Sequence, residues 1–141
     1  MISTVAVGTD GSPTADEAVK HAAEIAQRFG AKVVLLGVFR DSPGPSPGES
    51  QDIELQWAAN PSARMRSILE QNESSLRQAG IKCETRADEG DPGEVLVRLA
   101  SESDADLLVI GNKGMKRRVL GSIPNTVTHR ADCSVLVVKT T

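Results

Sequence analysis

Two kinds of apolar pattern alternate along the chain. Thr4-Val5-Ala6-Val7-Gly8, Lys32-Val33-Val34-Leu35-Leu36-Gly37-Val38 and Asp106-Leu107-Leu108-Val109-Ile110 are nearly continuous apolar runs of strand length, as expected for strands covered on both faces and therefore central in a sheet. Residues 81–87 instead alternate apolar or small with charged side chains, which predicts a strand with one face nearer water, at an edge. Ser134-Val135-Leu136-Val137-Val138 is again uniformly apolar. Between these runs the apolar positions recur at helical spacing. Ala15, Ala18, Val19, Ala22, Ile25, Ala26 and Phe29 form one stripe that stops at Gly30, and Met65, Ile68, Leu69, Leu76 and Ala79 form another before Gly80. Ser12-Pro13, Asn60-Pro61 and Asp91-Pro92 each set a capping side chain before a proline suited to a first helical position. Glu94 stands where it can complete a capping box with Asp91, and Ser122 is expected to start a fourth helix with Pro124 in its first turn.

Strands alternating with helices predict βαβ units, hence an α/β fold built on an open parallel sheet. The 141 residues make room for a single domain, 1–141, with a breaker-rich mobile loop over 41–60. A chain of this length buries enough surface to fold without metals or disulfides. Cys83 and Cys133 stand in strand-like stretches outside any CxxC or Cys/His cluster, and are read as reduced core thiols. His21 and His129 lack ligand spacing. No run approaches the roughly 18 apolar residues of a membrane span. Met1-Ile2-Ser3-Thr4 lacks the basic and apolar regions of a secretory signal, so the expected address is cytoplasmic. Aromatics are 2% of residues and the net charge is -3. A base-stacking surface has almost nothing to stack with, and long-range attraction to a nucleic acid is disfavoured.

Any anion site must therefore be local. Ligands of open α/β sheets bind beyond the carboxyl ends of the strands. The fourth such end is the informative one: Gly111-Asn112-Lys113-Gly114-Met115-Lys116-Arg117-Arg118-Val119-Leu120-Gly121-Ser122 combines glycines with Lys113, Lys116, Arg117 and Arg118 and runs into a helix start. Glycines admit phosphate oxygens to backbone N–H groups, and a helix N-terminus adds unpaired donors. A surface loop with scattered cations is the structural alternative. After the first strand there is no GxGxxG, and GxxxxGK[ST] is absent, which excludes dinucleotide and P-loop sites. Asp10 is open to three roles: orienting a ribose hydroxyl, helping to hold Mg²⁺ through a nucleotide, or forming the turn that leads to Ser12. Neither Ser12 nor Ser122 sits in a nucleophile elbow, so no catalytic residues are assigned.

Together, Val7-Gly8-Thr9-Asp10-Gly11-Ser12, the Ala-rich first helix, Ala105-Asp106-Leu107-Leu108-Val109-Ile110-Gly111, Gly121-Ser122-Ile123-Pro124 and Cys133-Ser134-Val135-Leu136-Val137-Val138 resemble a universal stress protein domain over nearly the whole chain. The resemblance implies a five-stranded sheet in the order 3-2-1-4-5, a homodimer, and a bound adenine nucleotide, ATP first, with Mg²⁺ as an optional companion. It places base and ribose near Gly8, Thr9, Asp10, Val38 and Ile110, and phosphates near Gly111, Gly114, Gly121, Ser122 and Ile123. It implies a regulatory rather than an enzymatic role, with at most incidental hydrolysis. The family's loop pattern has nine residues between its second and third glycines, whereas six separate Gly114 from Gly121. Three residues fewer shorten the contour by up to about 10 Å, so the cradle is tighter and its cations must replace lost backbone donors. A cyclic AMP-binding member and a nucleotide-free dimeric adaptor acting on unknown protein partners are the alternatives. In the implied order the fifth strand is an edge, and its apolar residues Val135, Leu136, Val137 and Val138 are the expected dimer interface.

Overall fold

The computed structural model describes residues 1–40, 60–112 and 121–140; the predicted 41–60 loop, apart from Asn60, lies outside them. The elements run β1 (Thr4–Gly8), α1 (Pro13–Phe29), β2 (Lys32–Phe39), α2 (Pro61–Gln78), β3 (Cys83–Glu89), α3 (Pro92–Glu102), β4 (Leu107–Gly111), α4 (Ser122–Arg130) and β5 (Ser134–Val138). The three Xaa-Pro starts form as the sequence predicts. Ser12 Oγ accepts from the Ala15 N–H at 3.2 Å, Asn60 Oδ1 from Ala63 at 3.3 Å and Asp91 Oδ2 from Glu94 at 3.2 Å. Such caps are each worth about 1 kcal/mol. Only one half of the expected capping box is seen, because the Glu94 carboxylate accepts instead from Arg130 of α4 at 3.1 Å. The fourth helix starts at Ser122 with Pro124 in its first turn, as expected. Gly121 holds the capping position with no side-chain hydrogen bond, and Ser122 is the first helical residue.

All strand pairs are parallel, and the order is β3-β2-β1-β4-β5, as the resemblance implied. The third strand begins and ends two residues later than its charge alternation suggested. Ile81 is taken by the turn after α2, its N–H bonded to Leu76 O at 3.0 Å. Pairing with β2 then carries the strand on until Phe39 meets Glu89.

Successive residues of the central strands enter opposite cores. Val5, Val7, Val33, Leu35 and Val109 pack with Ala18, Ala22 and Ala26 of α1 and Met65, Leu69 and Leu76 of α2. Ala6, Val34, Leu36, Leu108 and Ile110 pack with Val95, Leu96, Leu99 and Ala100 of α3 and Val127 of α4. The continuous apolar runs are thus explained by helices on both faces. In β3 only Cys83 is buried, which agrees with an edge. At the other edge the four apolar residues of β5 that were read together as the expected dimer interface differ in burial. Val138 is 4% exposed and belongs to the chain's own core, while Val135, Leu136 and Val137 are half-buried. The pleat turns Val138 inward beneath α1, so its side chain is not part of an outward face.

Cys83 and Cys133 are free thiols, the second only half-buried. Burial pushes Cys83 up to about 11, with the Glu73 charge adding to the effect, so it is protonated at neutral pH. Burial, with Asp132, also raises Cys133. Neither is an activated nucleophile. Among the described residues no group of three His, Cys, Asp or Glu is arranged for a metal, and no helix is long and apolar enough to cross a membrane. At the amino ends of the strands Asp106 accepts from Ser3 N (2.9 Å), Thr4 N (3.0 Å) and Ser3 Oγ (3.1 Å). The two backbone donors hold its carboxyl below the usual range and clip the start of β1 to that of β4.

The crossing of α3 and α4 leaves room for nothing but hydrogen at Gly93, where a Cβ would stand 2.8 Å from both Cβ and Cγ2 of Thr126. Alanine gains up to about 1 kcal/mol in helix propensity over glycine, whereas overpacking costs about 1–3 kcal/mol. Gly93→Ala is expected to lower stability, by about 1 kcal/mol, seen as an earlier urea midpoint at unchanged slope. A later midpoint would show that the two helices separate freely.

Candidate functional site

Crossovers through α1 and α2 lie on one face of the sheet and those through α3 and α4 on the other, so the winding reverses between β1 and β4. Beyond the carboxyl ends of these strands opens a cleft of about 290 Å³, at the lower end of the range for small-molecule sites.

Its floor is the exit of β1. Thr9, 6% exposed, donates its N–H to Leu36 O at 3.0 Å and accepts from the Gly11 N–H through Oγ1 at 3.2 Å. Asp10 Oδ1 accepts from the Ser12 N–H at 2.9 Å, and Ser12 then caps α1. Gly11 completes the turn at φ +81, and Ile68 of α2 presses close beneath it. The turn role open to Asp10 from the sequence is therefore realised, and the same fold of chain sets Asp10 at the cleft rim. The walls are apolar: Leu36 and Val38 from β2, Ile110 from β4, Pro92 and Leu96 from α3, Ile123 and Pro124 from α4. Thr14 and Ala15 of α1 close the remaining side. Gly8 lets Leu96 approach the strand, a Cβ there meeting its side chain at 3.1 Å. Among the described lining residues Asp10 is the only ionisable one.

The structure brings Gly8, Thr9, Asp10, Val38, Ile110, Gly111 and Ile123 together in this cleft. Ser122 does not line it. It faces an adjoining cavity of about 370 Å³ together with Arg40, Asp91, Gly93 and Thr126, with Pro92 and Ile123 shared between the two spaces. Gly121 stands at the cap of α4. Lys113, Gly114, Lys116, Arg117 and Arg118 lie outside the described residues. Sequence reasoning missed Leu36, Leu96, Thr14, Ala15 and Pro124 as wall residues, and Ser12 and Pro92 were read only as caps. Pro92 follows the carboxyl end of β3 and was open to the same strand-end rule; Leu96, one turn further on, carries only a core signal.

An apolar slot at a switch point, rimmed by one carboxylate and a helix start without a side-chain cap, suits a flat heterocycle with a polar tail. A model of the universal stress protein family matches residues 1–139. The chain belongs to that family. Universal stress protein Rv1636 of Mycobacterium tuberculosis is 39% identical over 144 residues, covering 98% of this chain and 97% of its own. Universal stress protein MJ0531 of Methanocaldococcus jannaschii is 33% identical, covering 99% and 83%. A universal stress protein crystallised in complex with cAMP is 35% identical, covers 99% of both chains and superposes with a TM-score of 0.76.

In this universal stress protein Gly111 is explained by packing as well as by access. A Cβ there would stand 2.6 Å from Thr14 Cγ2 and 3.1 Å from Thr14 O. Gly111→Ala is expected to destabilise by about 1–3 kcal/mol through overpacking. Thr14→Ser in the same chain, which removes the γ-methyl but leaves the carbonyl, should restore part of that loss in thermal unfolding. Full restoration, or none, would contradict the contact geometry.

Proposed function

We propose that this universal stress protein binds an adenine nucleotide in the cleft at the ends of β1, β2 and β4, in a regulatory and non-catalytic role in stress response. The observation that carries the reading is the apolar slot between Val38, Leu96 and Ile110, with Asp10 at one rim and the start of α4 at the other. The base lies between the apolar walls, Asp10 meets the ribose, and the phosphate end lies toward Gly111 and the start of α4. Support for cyclic AMP comes from the 35% identical protein solved with that ligand and from a cleft small enough to suit a monophosphate. Support for ATP comes from Lys113, Lys116, Arg117 and Arg118, more charge than a single phosphate needs. With ATP, Asp10 is a fitting single carboxylate for a Mg²⁺ held mainly by phosphates. A hydrolytic base in the described lining would have to be Asp10, whose carboxylate is already engaged by the Ser12 N–H.

Titration calorimetry with cyclic AMP, ATP and adenosine tests the proposal. Asp10→Ala is expected to weaken all three alike. Replacing Lys116, Arg117 and Arg118 together by Ala should weaken ATP most and adenosine least, by a margin that shrinks in high salt because exposed charge is screened. Absence of binding by the unaltered protein would leave the nucleotide-free adaptor as the reading.

The homodimer is proposed through the open edge of β5, with Val135, Leu136 and Val137 partly exposed along it. Strand-to-strand pairing across a two-fold axis would satisfy the edge and bury these side chains. Sedimentation at micromolar concentration should show a dimer that Val137→Asp converts to monomer; a monomeric parent protein refutes it.

A further inference from the structure

Resting on the adenine-nucleotide reading of the cleft, we propose that Arg40 is a positioning residue for the slot that takes the base, acting through Asp91 on the spacing of two of its walls. Leu36 and Val38 belong to β2, whereas Pro92 and Leu96 belong to the start of α3. Backbone pairing between β2 and β3 ends at Phe39 and Glu89. Past that pair the corner leading into α3 is held by the Gly90 N–H, which donates to Phe39 O at 3.1 Å, and by the Arg40 guanidinium. Its Nε–H donates to Gly90 O at 3.2 Å and its Nη2 to Asp91 Oδ1 at 2.9 Å. The other oxygen, Asp91 Oδ2, caps α3 by accepting from the Glu94 N–H at 3.2 Å. A single carboxylate thus joins the end of one wall to the start of the other.

Nε and Nη2 lie on one edge of a planar guanidinium, so the two bonds fix the direction of the joint as well as its length. Leu96, one turn into α3, stands against Gly8, where a Cβ would meet it at 3.1 Å. A displacement of the start of α3 carries Pro92 and Leu96 with it and widens the slot, and contact with a flat ring weakens steeply over a gap of about an ångström. The pair itself is exposed, 62% for the Arg40 side chain and 51% for Asp91, so its weight in global stability is small and its effect is local to the slot. Arg40 also lines the adjoining cavity with Ser122 and Thr126. Direct contact with a phosphate is therefore the competing role.

The test compares adenosine with cyclic AMP by calorimetry in the parent protein, Arg40→Ala, Arg40→Lys, Asp91→Asn and the double variant of Arg40→Ala with Asp91→Asn, with thermal midpoints measured alongside. Arg40→Ala is expected to weaken both ligands by the same factor, about twofold to fivefold, since they share the base. Arg40→Lys, which keeps the charge but loses the fork, should recover only part of that loss. Asp91→Asn keeps an acceptor for the helix cap and should weaken both ligands too, while adding it to Arg40→Ala should cost nothing further. Adenosine is uncharged, so salt acts on its binding through the pair: in high salt its affinity for the parent should fall to that of Arg40→Ala, which salt leaves unchanged. If Arg40→Ala does not fold, Asp91→Asn carries the comparison. Loss of cyclic AMP binding without loss of adenosine binding would make Arg40 a phosphate contact and overturn the inference, as would additive losses or a lowered midpoint with unchanged affinities. Variants that bind both ligands like the parent sink this inference alone, whereas a parent protein that binds neither sinks the nucleotide reading with it.

Discussion

The burial of β1 on both faces governs the rest of the molecule. Val5, Ala6 and Val7 are all inaccessible to solvent, so neither face of this strand can be left to water. Two layers of helix are then needed, and helical crossovers returning to one sheet make every strand parallel. All carboxyl ends consequently emerge together. Because two crossovers take one face and two the other, the layers part above β1 and β4, and the cleft is the gap left there. The residues of the cleft floor, Gly8, Thr9, Asp10 and Ser12, are polar or small for the same reason. They stand where the strands run out of partners, and each arrives with backbone groups to satisfy, as the Thr9 and Asp10 hydrogen bonds show.

The two edges of the sheet are treated differently. On β3, Glu84, Arg86 and Asp88 engage Lys32, Glu102 and Arg98 in exposed ion pairs. Such pairs add only about 0–1 kcal/mol each, so their weight in stability is small. Their effect is to dress the edge in fixed charge that an incoming strand would have to desolvate. On β5 the edge carries valines and a leucine instead. A sheet that guards one border and leaves the other apolar has two unlike sides.

What the sequence made legible follows from which signals are local. Caps at Ser12, Asn60 and Asp91 and the runs of β1, β2 and β4 depend on neighbours within a few residues, and they were read correctly. The ends of β3 depend on how far β2 extends beside it, a fact stored 50 residues away, and they were misplaced. The start of α4 at Ser122 was read correctly as well, and the residue before it, Gly121, caps the helix with extended backbone and no side chain. Within the cleft, Gly8, Asp10 and Gly111 were legible because strand-end position alone marks them. Leu96 and Thr14 were not, because a residue that faces a helix–sheet gap has the same pattern as one that fills a core. The unequal burial along β5 was not legible for a related reason: uniform apolarity does not say which side chain the pleat turns inward.

The clip between Asp106 and the first strand joins positions 102 apart in sequence. The strand at the centre of the sheet is therefore the first to be synthesised, and it obtains its second neighbour only after most of the chain has been made. During synthesis β1 can pair with β2 almost at once, but its other border stays open until β4 arrives. Closing so long a loop is entropically costly and slows folding relative to local contacts. Until then the cleft lacks Ile110 and Gly111 of β4 and Ile123 and Pro124 of α4. The sheet and its cleft are thus both completed late, and a nascent chain halted before β4 would hold neither.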